Sequence, residues 1–70
     1  MDKHIRMEIK NSSCIKSFDY NKETKVLRIE FTHGGIYDYE GVPENIIRKW
    51  MQADSKGKFF NKEIRYGYAN

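Results

Sequence analysis

The residues best suited to chemistry lie in the last third of the chain. Arg48, Lys49, Lys56, Lys58, Lys62 and Arg65 are interleaved with or followed by Phe59, Phe60, Tyr66 and Tyr68. Basic side chains neutralise phosphates, and aromatic rings stack on bases, so this mixture suits a nucleic-acid strand. Between residues 48 and 65 the six basic groups meet only Asp54 and Glu63 as acids. The rest of the chain is close to neutral, so this segment accounts for the formal net charge of +3. A plainer role is also open: Phe59, Phe60 and Ile64 pack inward while the lysines only keep a helical face solvated.

Other chemistry is thin. His4 lies near the start and His33 in a turn, and neither has a spaced partner to make it a general base. Ser12-Ser13-Cys14 has nucleophile types without a nucleophile elbow. Asp38 and Glu40, two apart on one strand face, read as solvated charges before they read as an acid–base pair or a cation site. Ser55-Lys56-Gly57-Lys58 lacks the frame of a phosphate loop. No Cys/His spacing suggests zinc, no cofactor is implied, and an enzyme is the weakest reading for want of a site.

Seventy residues predict a single domain over 1–70, with 1–8 as an N-terminal arm or extra strand. A chain this short buries only about 60% of its unfolded surface. Its one cysteine, Cys14, forms no internal disulfide and is expected as a small buried strand residue. No run reaches the roughly 18 apolar residues of a membrane span, and the start lacks a signal-peptide core. A cytoplasmic, soluble protein with no membrane partner is the expectation.

The elements that must position the basic segment follow from periodicity. Ile5, Met7 and Ile9 alternate with polar residues, which predicts a half-buried strand or an arm that orders on a partner. Asn11, Ser12 and Ser13 interrupt it. Cys14–Tyr20 is a second extended piece. Ile15 and Phe18 there have opposite parity, which a bulge or a late strand start reconciles. Leu27, Ile29 and Phe31 mark the clearest strand. His33-Gly34-Gly35 then turns the chain into a strand carrying Tyr37 and Tyr39. Two registers are open. A two-residue loop pairs Phe31 with Ile36 and turns both tyrosines to solvent. A three-residue loop, His33–Gly35, pairs Phe31 with Tyr37 and Ile29 with Tyr39. It puts both tyrosines on the core face but sets Glu30 opposite Asp38. Burial favours the second.

Pro43 is expected at the first position of a helix whose apolar stripe is Ile46, Ile47, Trp50 and Met51, with Trp50 as its anchor. Ser55 or Asp54 caps a second, shorter helix over Lys56–Glu63 or so, with Asn61 as a closing residue. The predicted class is α+β: a small antiparallel β-meander of three or four strands, then one helix and a second short helix packed on one face.

One set of residues carries a resemblance: Ser13, Ile15, Phe18-Asp19-Tyr20, Leu27, Phe31, Gly34-Gly35, Tyr37-Asp38-Tyr39, Val42-Pro43, Asp54-Ser55, Gly57, Phe59-Phe60-Asn61, Ile64 and Tyr66. Over roughly residues 9–66 the chain resembles the KTSC domain, a short domain at the C-terminus of some lysyl-tRNA synthetases and stand-alone in bacterial and phage proteins. The synthetase context implies RNA binding. Met1–Glu8 departs from the pattern, and with no synthetase portion the aminoacylation chemistry does not carry over.

Two functions of different class result. The first is a non-enzymatic nucleic-acid-binding module, preferring RNA or another polyanion. Lys56, Lys58, Lys62 and Arg65 would contact phosphates, with Arg48 and Lys49 nearby, and Tyr66 or Tyr68 would stack on bases. The second is a protein-interaction module, such as a small phage-type inhibitor or adaptor, that docks a partner or a second copy by strand addition to an exposed edge.

Overall fold

The structure, a computed structural model, describes residues 3–10 and 12–68. Asn11, part of the expected interruption, lies outside the described residues. Four strands form one antiparallel sheet in the order of the chain: β1 (His4–Glu8), β2 (Ile15–Asn21), β3 (Val26–Phe31) and β4 (Ile36–Tyr39). Helix α1 (Glu44–Gln52) and helix α2 (Lys56–Phe59) follow, and α2 continues into a π-helix over Phe60–Ile64. The α+β meander with helices behind it is thus the observed architecture, and the first alternating segment forms β1, which brings the sheet to four strands.

Strand alternation separates two chemistries. On the inner face, the cross-strand partners form two apolar rows: Ile5, Tyr20, Leu27 and Tyr39, then Met7, Phe18, Ile29 and Tyr37. On the outer face, Arg6, Asp19, Arg28 and Asp38 form one row of alternating charge. Arg6 Nε donates to Asp19 Oδ2 at 2.9 Å, and Arg28 grips Asp38 with Nε at 2.8 Å and a second nitrogen at 3.1 Å. His4 Nδ1 lies 2.8 Å from the other oxygen of Asp19. Opposite charges on facing strands support the pairing that the inner rows require.

The bulge expected in β2 is present: the register shifts between Ile15 and Ser17. One extra residue, Lys16, lets Ile15 and Phe18 both reach the core, where both are buried. Cys14 is a correction. It is exposed in the bend before β2. β2 begins only at Ile15, so Cys14 precedes the ladder, and its thiol stays at the helix-side surface, where a Cβ added at Gly57 would lie 3.5 Å from it.

The β3–β4 hairpin keeps the expected faces but not the expected pairs. Ile29 pairs with Tyr37 and Leu27 with Tyr39, and the Phe31 N–H donates to Gly35 O at 2.8 Å. The loop is three residues, Thr32–Gly34, closed by the Gly34 N–H on Phe31 O at 3.0 Å. Gly34 takes φ 101°, the left-handed position such loops reserve for glycine. Relative to the expected register the strand has slid by two residues, which preserves its faces. The slide replaces the Glu30–Asp38 opposition with the Arg28–Asp38 pair. Tyr39 is buried, Tyr37 is 44% exposed at the open end, and Ile36 is 59% exposed on the outer face.

The chain leaving β4 is tied back to the sheet. The Tyr20 hydroxyl donates to Val42 O at 2.5 Å, and the Val42 N–H donates to Lys25 O at 3.0 Å. Burial pushes the Tyr20 phenol up from its usual range, so it stays protonated and able to donate. Pro43 is the N-cap of α1, one place before the first helical residue, Glu44, rather than at that first position as expected. Ile47 and Trp50 are buried and Ile46 is half-buried, but Met51 falls at the edge of the stripe and is exposed. Trp50 is the expected anchor: its ring stacks on Phe18 with centroids 4.6 Å apart, and its Nε1–H donates to Lys56 O at 2.9 Å. No helix among the described residues is long and apolar enough to cross a membrane.

Tyr20→Phe keeps the ring but strands the Val42 carbonyl without its buried donor. It is expected to lower unfolding stability by about 1–2 kcal/mol, read as an earlier urea midpoint at unchanged slope. Asp38 tests the outer row by pH. The Arg28 hydrogen bonds hold its carboxyl below the usual carboxylate range. A depressed carboxyl contributes stability that is present above its unfolded value of about 3.9 and is lost as pH falls. The midpoint gap between the natural protein and Asp38→Asn is therefore expected to be constant near neutrality and to narrow below about pH 4. A gap that widens on acidification would contradict this assignment.

Candidate nucleic-acid interface

The basic segment starts with a cap. Ser55 Oγ accepts the Lys58 N–H at 3.3 Å, and Ser55 O accepts the Phe59 N–H at 3.1 Å. Ser55, rather than Asp54, is thus the helix start. The segment does not close at Asn61. It widens there into the π-helix, and the Arg65 N–H reaches five residues back to Phe60 O at 2.8 Å. Phe60 and Ile64 are buried against the sheet, while Asn61, Lys62, Glu63 and Arg65 stay exposed. π-Turns inside helices occur often at functional sites, because the extra residue re-aims the side chains around it.

The eight residues expected to bind separate into three groups. Lys56 belongs to the framework. It is half-buried, its Nζ donates to Ala53 O at the end of α1, and its carbonyl accepts the Trp50 indole. Tyr68 is half-buried against the core. Arg48 is exposed on α1 but bound to Glu44 one turn earlier at 2.8 Å, and Lys49 is exposed beside it. Lys58, Lys62, Arg65 and Tyr66 remain as the exposed group on α2, the π-helix and the turn that follows. Among the described residues neither Lys58 nor Lys62 is in an ion pair, whereas Lys3, Arg6, Lys16, Arg28 and Arg48 are. Arg65 sits 5.4 Å from the centre of the Tyr66 ring, within cation–π range, and also reaches Asn61 Oδ1 at 3.4 Å. Tyr66 is 82% exposed.

Arg65 and Tyr66 open onto a cleft of about 490 Å³ between the β3–β4 hairpin and the π-helix. Its floor is aromatic. Phe60 meets Phe31 and Tyr39 edge-on, with centroids 5.6 and 5.5 Å apart. Its rim carries His33, Tyr37 and Asn61, with Cys14 on one side. His33 lies parallel to Phe31 at 5.5 Å, and Tyr37 meets the same ring edge-on at 5.5 Å. The sequence reading missed this cleft. The available signal was the shared parity of Phe31 and Tyr37 on facing strands, beside a glycine that leaves room for rings. Burial pushes the Tyr39 phenol up, against the pull of Arg65. The cleft's phenol and guanidinium groups therefore present donors and a fixed positive charge.

The other faces offer less. The outer sheet face is a shallow hollow of about 720 Å³ lined by Arg6, Asp19, Arg28 and Glu30 among others. Its charges already neutralise one another, so it presents no single sign. Among the described residues no three His, Cys, Asp or Glu side chains converge as a metal site would require.

Comparison with known proteins places the chain. Residues 11–68 match the family model of the KTSC domain. The crystal structure of a KTSC domain protein from Yersinia pestis superposes with a TM-score of 0.86 at 36% identity, covering 94% of this chain and 92% of that one. An uncharacterised protein of Stutzerimonas stutzeri is 39% identical over 54 residues, covering 77% of this chain and 76% of that protein. A lysine–tRNA ligase of Nostoc punctiforme is 43% identical over 53 residues, which are 76% of this chain but only 9% of the ligase. With the match running from before β2 to the end of the aromatic cleft, and with the same fold in a solved relative, the chain belongs to the KTSC domain family.

Proposed function

We propose that this domain is a non-enzymatic nucleic-acid-binding module, with RNA as its preferred polyanion. The observation that carries the reading is the unpaired basic group Lys58, Lys62 and Arg65 on one short helical segment, ending at the exposed Tyr66. Lys3, Arg6, Lys16, Arg28 and Arg48 are held in local ion pairs; what distinguishes Lys58, Lys62 and Arg65 is their three- and four-residue spacing along one segment that ends at an exposed aromatic ring. The likeness to a segment of a lysine–tRNA ligase supports RNA over other polyanions.

Lys58, Lys62 and Arg65 each contact one phosphate in this reading. Single strands release counterions with a slope of about −0.7 per phosphate, so three contacts give a slope near −2. Affinity for a short fluorescent RNA is then expected to fall about 20-fold between 50 and 200 mM salt, measured by anisotropy. Replacing Lys58 and Lys62 by alanine together should reduce the slope to about −0.7. An affinity indifferent to salt would overturn the proposal.

A second reading has one observation in its favour. β4 is an edge strand of only Ile36–Tyr39, and it exposes Ile36 and Tyr37. An open apolar edge suits strand addition by a protein partner or by a second copy. Absence of RNA binding, together with a sedimentation mass above one chain that Ile36→Lys returns to one chain, would favour it.

A further inference from the structure

Resting on the nucleic-acid reading, we infer that the aromatic cleft receives an unpaired base, so that the domain binds single-stranded rather than duplex RNA. Paired bases hide their faces inside the helix stack, and an aromatic cleft has nothing to grip there. Splayed bases offer both faces to aromatic rings.

The geometry suits such a guest. Phe31, Tyr39 and Phe60 interlock edge-on, so the floor is rigid. The mouth is different: Tyr66 is 82% exposed and Tyr37 44% exposed, rings with free area at the edge of a hollow. The cleft's roughly 490 Å³ lies within the range of about 300–1,000 Å³ typical of small-molecule sites. Asn61 and His33 on the rim can meet a base edge with donors and acceptors. Arg65 stands over Tyr66, so the stacking ring and the phosphate-binding cation are sequence neighbours. A base in the cleft therefore leaves its own phosphate at Arg65 and the adjoining ones toward Lys62 and Lys58.

Gly35 is built into the same device. A Cβ there would come within 2.9 Å of the Tyr37 ring and 3.0 Å of the His33 ring. Both neighbours are the far ends of side chains, so alanine would displace the two rings without breaking the backbone. The glycine thus sets ring positions at the cleft mouth.

The test compares an eight-nucleotide unstructured RNA with the same strand in a perfect duplex, by anisotropy at 50 mM salt. Single-stranded RNA is expected to bind at least tenfold more tightly. Tyr66→Ala should weaken single-strand binding about tenfold while leaving duplex binding and the salt slope unchanged. Tyr66→Trp should retain or tighten it. Tyr66 is too exposed for its removal to unfold the domain, and Gly35→Ala, confirmed as folded by its amide spectrum, gives an independent loss of single-strand affinity. Equal binding of the two RNAs, with Tyr66→Ala and Gly35→Ala silent while Lys58→Ala with Lys62→Ala weakens both, would overturn the base site and leave the phosphate reading standing. No binding of either RNA would overturn both.

Discussion

The Trp50 indole holds the two halves of this domain together. Its face stacks on Phe18 of the sheet, and its Nε1–H donates to the Lys56 carbonyl at the start of α2. A single side chain thus fixes where α1 lies on the sheet and where α2 begins. With one cysteine and no convergent metal ligands among the described residues, a chain of this size relies on such shared anchors, because its core is small relative to its surface. Lys56 completes the junction by donating its ammonium group to Ala53 O. Had α2 started elsewhere, neither the π-helix nor Arg65 would face the hairpin.

From that anchor a chain of rings runs outward. Trp50 neighbours Phe60 at 6.2 Å, Phe60 meets Phe31 and Tyr39, and Phe31 meets His33 and Tyr37. The first members are buried and the last are exposed. The cleft is therefore the place where the core's aromatic packing reaches solvent, and its rings take their orientation from the same contacts that stabilise the fold. Aromatic surface oriented in this way loses little conformational freedom when a planar ligand stacks on it.

How far the sequence showed this differs from residue to residue. The alternation of Leu27, Ile29 and Phe31 revealed β3, and the clash of parity between Ile15 and Phe18 revealed the bulge, because both are consequences of the two-residue repeat of a strand. The hairpin pairs were less legible because Gly34 and Gly35 stand side by side and either can take a positive φ. The chain uses Gly34 for the turn and reserves Gly35 for space beside two rings, a distinction that depends on contacts between strands. Asn61 looked like a helix end because local propensity ignores Phe60 and Ile64 pulling the segment onto the sheet. The cleft could not be seen from any single segment, since Phe31, Tyr37, Phe60 and Tyr66 come together only through the fold. Cys14 was misjudged on residue type alone: the strand begins one residue after it, which leaves it at the surface.

The distribution of charge completes the separation of faces. On the sheet's outer face, cations and anions alternate across all four strands, so their fields cancel within a few ångströms and the face is nearly silent to a distant polyanion. On α2 and the π-helix, the cations have no such partners in their own fold. A field that is local rather than global explains how a chain with a net charge of only +3 can still present a directional positive surface. The field of that surface is strong only near the helix, where the aromatic cleft opens. In the proposed reading, electrostatics would bring a strand to the face where stacking can hold it, and a field that weak at long range would leave discrimination between paired and unpaired RNA to the rings.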